Sequence, residues 1–317
     1  MAKAEIPTKD KLLEISERLK PYIHNTPVMR SVSIDNISGS KLYFKCENFQ
    51  KTGSFKIRGA MNAVLSLSAA EREKGIITHS SGNFAQAAAY AAGRLSIKAK
   101  IVMPQNVVPA KRDAVLGYGA EIVYSGNLPG DREEKCTAEQ KLSGAAFIHP
   151  SNDINVIYGH TSCAVELFNE TPPLDAVFVP VGGGGLISGI AFGFAAFSPT
   201  TKVIGGEPAG ADDAYQSIKA GHIIPQTSPQ TVADGLRTSL GDVTFPIISK
   251  LVHEIVTVTE EEIISAMRLI WERMKILAEP SSAVALAAFL KNPEEYKDKN
   301  IGIIISGGNV NLDSLPF

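Results

Sequence analysis

Short aliphatic and β-branched runs alternate with helical patterns along almost the entire chain. The strand candidates are Leu42-Tyr-Phe-Lys45, Gly75-Ile-Ile-Thr78, Lys100-Ile-Val-Met103, Glu121-Ile-Val-Tyr124, Ala146-Phe-Ile-His149, Ala176-Val-Phe-Val179, Lys202-Val-Ile-Gly205, Glu254-Ile-Val-Thr257 and Ile301-Gly-Ile-Ile-Ile305. Strand, crossover helix, strand is the signature of parallel sheets covered on both faces, so the expected fold class is α/β. Pro109 predicts a helix start, and Thr259 with Glu262 predicts a capping box before Ile263-Ile-Ser-Ala-Met267. No Pro/Ser/Gly linker divides the chain and no repeat is visible. Residues 75–152 carry a self-contained set of strand and helix patterns. They are expected to form a smaller domain inserted into a larger one built from 1–74 and 153–317. Ligands bind such sheets beyond the carboxyl ends of the strands, which places the expected site in the cleft between the two.

Composition narrows the function without naming it. The 317 residues, 44% apolar and 20% charged with a net charge of −2, can bury a large core but show no basic stripe for a nucleic-acid backbone. Met1-Ala-Lys-Ala-Glu-Ile-Pro7 lacks the apolar core of a signal peptide. The most apolar stretch, Leu186 to Phe197, is short and broken by glycine, so a cytoplasmic protein without a membrane partner is expected. Cys46, Cys136 and Cys163 are odd in number and widely spaced, which suits buried thiols better than disulfides or zinc.

Two motifs carry the chemistry. Gly182, Gly183, Gly184 and Gly185 follow the strand pattern Ala176–Val181 and precede a buried helix pattern. Side-chain-free backbone at a helix start gathers N–H groups at the positive end of the dipole, a socket for phosphate. Taken alone, the run also suits a dinucleotide fingerprint or a packing turn, although Gly-x-Gly-x-x-Gly with its distant acid is poorly matched. The second motif, Gly53-Ser-Phe-Lys-Ile-Arg-Gly59, sets Lys56 among small and apolar neighbours. A partly desolvated lysine loses its proton more readily and can condense with an aldehyde. Phosphate and aldehyde together point to pyridoxal 5′-phosphate (PLP).

Further strand-to-loop junctions add polar groups. Ser80-Ser-Gly-Asn83 opens an alanine-rich helix and suits a carboxylate, or is an ordinary helix cap. Ser306 follows the last strand pattern. Its hydroxyl either meets a pyridine nitrogen without protonating it, leaving a weaker electron sink than a carboxylate would, or merely caps a turn.

Taken in order, Asn25-Thr-Pro-Val28, Phe44-Lys-Cys-Glu47, Gln50-Lys-Thr-Gly-Ser-Phe-Lys-Ile-Arg-Gly59, Ser80-Ser-Gly-Asn83, the tetraglycine, Glu207-Pro208 with Ala211-Asp-Asp213, Ala233-Asp-Gly235, Trp271–Lys275, Glu279-Pro280 and Ser306-Gly-Gly-Asn309 resemble the fold-type II PLP enzymes. The resemblance is strongest to the serine racemase and threonine/serine dehydratase branch and runs essentially the whole length. It implies a tryptophan-synthase-β-like fold with Lys56 as the Schiff-base lysine, Phe55 packed near the cofactor and Asn83 on the ring oxygen. Gly182 to Gly185 would hold the phosphate and Ser306 would meet the ring nitrogen. Lys56 and Ser81 would be catalytic, one on each face of the substrate Cα, permitting racemisation of L- and D-serine and elimination to pyruvate and ammonia. Ser80, Ser81, Asn83, Phe84, Arg132 and Ser239 would line the amino-acid substrate. The alternative implied is an L-threonine/L-serine or 3-hydroxyaspartate dehydratase with little racemase activity.

The resemblance further implies a divalent-cation site at Glu207, the Ala211 carbonyl and Asp213, whose hard oxygens select Mg²⁺, Ca²⁺ or Mn²⁺. It implies ATP as an activator at Lys51, Thr52, Gln86, Lys111 and Asn309 near the interface of a homodimer. From the residues alone, the acids and the two lysines are equally read as solvated. Phe84 replaces the usual histidine, and Tyr158-Gly-His-Thr-Ser162 stands where relatives read Ala-Gly-Gln-Gly-Thr, so a narrower, less polar side-chain pocket is expected. His160 by itself reads as a satisfied structural histidine and Arg132 as a surface ion pair. A cofactor carrier without catalysis and a nicotinamide-linked dehydrogenase are the remaining readings.

Overall fold

A computed structural model describes residues 5–128 and 130–317. The strands are β1 (Val28–Met29), β2 (Lys41–Cys46), β3 (Ile76–His79), β4 (Ala99–Pro104), β5 (Glu121–Ser125), β6 (Ala146–Phe147), β7 (Ala176–Pro180), β8 (Lys202–Pro208), β9 (Glu254–Val258) and β10 (Asn300–Ile305). They form a six-stranded sheet in the order β1-β2-β10-β7-β8-β9 and a four-stranded sheet in the order β5-β4-β3-β6. Pairing is parallel except between β1 and β2. All nine expected strands are present. The two-residue β1 carries too little pattern to be read from sequence, and β6 pairs over only two of its four expected residues.

Local chemistry explains the element ends. Pro109 occupies the first turn of the helix Pro109–Gly117, and Thr259 and Glu262 form the reciprocal capping box of Glu260–Met274. The helix Gly185–Phe197 is buried through its first ten residues, wedged between the six-stranded sheet and the helix Ile154–Glu170. Ile154–Glu170 in turn packs on Lys56–Leu65 so closely that a Cβ at Gly159 would lie 2.2 Å from the Arg58 carbonyl oxygen. That contact fixes the helix bearing Lys56.

Beneath it lies an ion cluster. Arg58, fully buried, donates through Nε to Glu47 Oε2 at 2.7 Å and through Nη2 to Glu166 Oε2 at 2.6 Å, and Lys45 Nζ reaches the same Glu166 oxygen at 2.8 Å. Burying these charges is tolerable because each is paired, and removing one partner of such a cluster costs about 3–5 kcal/mol. Cys46, Cys136 and Cys163 are all buried, and burial pushes the Cys46 thiol up to about 12, so it is inert.

Candidate active site

The site forms where the carboxyl ends of the two sheets face each other. The turn preceding Lys56 is tied to the end of β10: the Phe55 amide donates to the Ser306 carbonyl at 3.0 Å, and Gly308 N donates to the Gly53 carbonyl at 2.9 Å. Lys56, the first residue of its helix, is half-buried, and its Nζ donates to the Pro150 carbonyl at 3.0 Å. Nζ stands 5.0 Å from the Phe55 ring centroid and 5.7 Å from that of Phe84. Desolvation draws its pKa down to about 8, against the opposing charge of Glu279. A substantial fraction of the amine is therefore neutral near pH 8, the form that attacks a carbonyl.

The tetraglycine makes the turn from β7 into the helix Gly185–Phe197, with Gly184 in the left-handed region at φ 80°. A Cβ at Gly183 would lie 2.3 Å from Ser151 Oγ, and one at Gly182 would lie 2.9 Å from Leu236 Cα. Only glycine lets these loops close around the helix start. The cradle thus fits an anion of phosphate size held by backbone N–H groups. Ser306, buried at the end of β10, shares a hydrogen bond of 3.0 Å with Ser282 Oγ, which itself accepts from Gly307 N and donates to Gly307 O, both at 2.7 Å. Its hydroxyl is oriented by neutral partners, in keeping with an uncharged group facing a ring nitrogen.

The smaller sheet contributes Ser80 to Asn83 at the end of β3. Ser80 N donates to the Val102 carbonyl and its Oγ accepts from Gly82 N at 3.3 Å, which shapes the turn into the helix Asn83–Arg94. Arg132 Nη1 donates to Ser81 Oγ at 3.3 Å. That contact replaces the surface ion pair as the reading of Arg132. Phe84 is buried beside Lys56. Ser239 Oγ accepts from Gln226 N at 2.7 Å, which ties it to the loop after Gly221.

Glu279 is the residue whose role the sequence did not isolate. It precedes Pro280, the start of the helix Pro280–Leu290, and its two carboxylate oxygens accept from Asn83 Nδ2 at 3.0 and 3.1 Å. Burial lifts it to about 7, with Asn83 opposing. Asn83 Oδ1 in turn accepts from Asn309 Nδ2 at 2.9 Å, and Asn309 also donates to the Thr52 carbonyl at 2.8 Å. Residues matched separately to cofactor and nucleotide therefore share one network. Of the remaining nucleotide candidates, Gln86 is buried in the helix Asn83–Arg94, Lys51 lies half-buried beside Thr52, and Lys111 pairs with Asp234 Oδ2 at 2.9 Å.

His160 is fully buried beside the backbone of Gly185, whose hydrogen bond opposes the loss of its charge. The ring packs edge-on against Phe55 at 4.8 Å, and burial followed by the Lys56 charge drives it down to about 3. It is an uncharged packing piece, in keeping with a structural histidine.

At the end of β8, Glu207 accepts from Ala214 N at 2.9 Å and Tyr215 N at 2.8 Å, and Asp213 Oδ2 accepts from Leu240 N at 3.1 Å. Asp213 Oδ1 is buried with no partner, and Ala211, in the short turn 209–211, is buried alongside in sequence. Desolvation raises Glu207 to about 9 and Asp213 to about 6, with further acids adding to the rise. Two buried carboxylates, with one oxygen unpartnered among the described residues, suit a hard divalent ion.

A desolvated lysine and a bare-backbone anion cradle at the carboxyl edge of a parallel sheet define the class, and sequence comparison agrees. The chain belongs to the family described as pyridoxal-phosphate dependent enzyme, matched over residues 19–307, and its fold is that of fold type II. It is 47% identical to a β-hydroxyaspartate dehydratase of Paracoccus denitrificans over 98% of this chain and 99% of that one. It is 48% identical to a serine racemase of Arabidopsis thaliana, covering 95% and 93%. Among solved structures, serine racemase of Dictyostelium discoideum superposes with a TM-score of 0.93 at 44% identity, over 97% of this chain and all of that one.

Proposed function

We propose that this enzyme acts on serine, interconverting its enantiomers and eliminating water from it to an aminoacrylate that water then hydrolyses to pyruvate and ammonia. The observation that supports this reading is the pairing of a lysine amine of lowered pKa at the edge of one sheet with a serine hydroxyl, bonded to arginine, at the edge of the other. PLP, when bound, supplies an electron sink that acidifies the substrate Cα–H. Lys56 Nζ takes or returns the Cα proton on one face and Ser81 Oγ does so on the other. The Arg132 guanidinium beside Ser81 lowers the cost of negative charge on its oxygen. Ser80 to Asn83 and the helix start behind them hold the substrate carboxylate. Phe55 and Phe84 exclude water from the amine. Gly182 to Gly185 would hold the phosphate of PLP, Ser306 would meet its ring nitrogen, and Asn83, held by Glu279, would meet its ring oxygen.

The same reading places a divalent cation at Glu207, Ala211 and Asp213, an activating nucleotide near Thr52 and Asn309, residues 75–152 as a small moving domain, and two copies of the chain in the working cytoplasmic enzyme. Among the described residues no helix is long and apolar enough to cross a membrane.

A second reading, a dehydratase of threonine or hydroxyaspartate with little racemase activity, is favoured by the 47% relative and by the buried Phe84 ring beside the amine. One assay separates the two. D- and L-serine, threonine and hydroxyaspartate are each incubated with the parent and with Ser81→Ala, and both keto acid and chirality are followed. The first reading expects the parent to invert serine, and Ser81→Ala to retain PLP but lose inversion from at least one enantiomer. Inversion by Ser81→Ala at the parental rate refutes the two-base scheme. Keto-acid release without inversion by the parent establishes the second reading.

A further inference from the structure

The segment His149–Asn152, which follows β6, touches both the Lys56 amine and the glycine turn. Pro150 offers its carbonyl to Lys56 Nζ at 3.0 Å. Ser151 Oγ fills the space that a Cβ at Gly183 would need, and the Ser151 carbonyl stands 3.0 Å from the Cβ position of Gly185. Asn152 reaches the opposite wall, where its Oδ1 accepts from Val243 N at 2.9 Å and Thr244 N at 3.3 Å and its Nδ2 donates to Asp242 at 2.7 Å. What bends the segment is a side chain. His149 Nδ1 accepts from both Ser151 N at 3.1 Å and Asn152 N at 2.8 Å.

We propose that His149 is a positioning residue whose Nδ1 acceptor folds residues 150–152 into the shape that holds the Lys56 amine and the glycine turn together. This inference rests on the assignment of Lys56 and the tetraglycine to PLP. An imidazole can do this only while Nδ1 is unprotonated, with its proton on Nε2. The surroundings enforce that form. His149 lines a cavity of about 230 Å³ with His79, Glu133, Cys136 and Phe147, and its ring stands 5.7 Å from that of His79. Burial, then the His79 and Lys56 charges, hold it down at about 4 against the pull of Asp242. His79 sits one residue before Ser80, so the two histidines also join the Ser81 turn to the lysine's carbonyl partner.

The test compares His149→Leu, which removes the acceptor, with His149→Asn, whose Oδ1 can replace Nδ1. Three quantities are read: PLP affinity of the apo-protein by absorbance titration, amide hydrogen exchange at Ser151 and Asn152, and kcat against KM for serine. His149→Leu is expected to weaken PLP binding at least tenfold, to speed exchange at both amides at least tenfold, and to lower kcat with little change in KM. His149→Asn is expected to recover most of each loss. Parental PLP affinity and exchange in a folded His149→Leu overturn the proposal, as does a folded His149→Asn that behaves like the leucine variant. If His149→Leu does not fold, His149→Gln, with its acceptor displaced by one methylene, is expected to show the same losses in milder form, and parental values there overturn the proposal. Failure of the parent itself to bind PLP through Lys56 would instead refute the functional reading.

Discussion

Replacing Gly183 by alanine tests the cofactor cradle at its tightest point. The new Cβ would fall 2.3 Å from Ser151 Oγ, 3.0 Å from Ser151 Cβ and 3.3 Å from Thr238 Oγ1. Rotating the serine hydroxyl relieves the first contact but not the second, so either the Ser151 backbone or the glycine turn must shift. Overpacking of this kind costs about 1–3 kcal/mol. Charged to the geometry that binds phosphate, that is a loss of roughly five- to 150-fold in PLP affinity at 1.4 kcal/mol per tenfold. Gly183 does not require a positive φ, so the penalty is purely steric, and Ser151→Gly removes both offending atoms. The double variant Gly183→Ala/Ser151→Gly should therefore bind PLP more tightly than Gly183→Ala alone, a coupling measurable in a double-mutant cycle. Gly184→Ala is the control. It clashes with Ile248, Leu240 and Thr244 and adds the strain of alanine at φ 80°, about 1–2 kcal/mol, so Ser151→Gly should not rescue it. Equilibrium titration of the apo-proteins with PLP, beside thermal melts, gives the answer. Parental affinity in Gly183→Ala, or no rescue by Ser151→Gly, would refute the reasoning.

Two further outcomes follow from the buried charges. His160 and His149 are held neutral, at about 3 and about 4, below the ordinary value of about 6.5. A lowered histidine contributes stability in full above its unfolded value, and that contribution is lost as pH falls toward the folded value. Chemical denaturation should thus show stability declining by several kcal/mol from about pH 6.5 to about pH 4, with a shallower decline in His160→Gln; an identical profile in that variant would refute the assignment. Glu207 and Asp213 carry the opposite sign. Raised to about 9 and about 6, they favour the fold below their unfolded values and cost stability as pH rises toward the folded ones. A bound cation offsets that cost, so Mg²⁺ should raise the melting temperature more at pH 8 than at pH 6, and not at all in Asp213→Asn. Equal shifts at both pH values, or a shift retained in that variant, would exclude the site.

What the sequence settled was short-range. Alternation of apolar runs located nine strands, because burial on both faces of a parallel sheet leaves continuous apolar runs in the chain itself. Pro109 and the Thr259–Glu262 pair marked helix starts through hydrogen bonds that span only a turn. Lys56 and the tetraglycine announced their chemistry because a reactive amine and a bare backbone need particular residue types in particular order. Tertiary structure decided the rest. Asn83 meets Glu279 across 196 positions, and the Ser151 hydroxyl occupies the space that Gly183 leaves open. No local period encodes either meeting. His149 read as the end of a strand and emerged as the acceptor that bends the next three residues, since β6 stops pairing two residues earlier. His160 read as a structural histidine, and only the tertiary structure set its ring against Phe55 and the Gly185 backbone. Propensity and capping act within a few residues, whereas the pKa of Lys56 and the closure of its cleft depend on what remote segments bring to the same few ångströms.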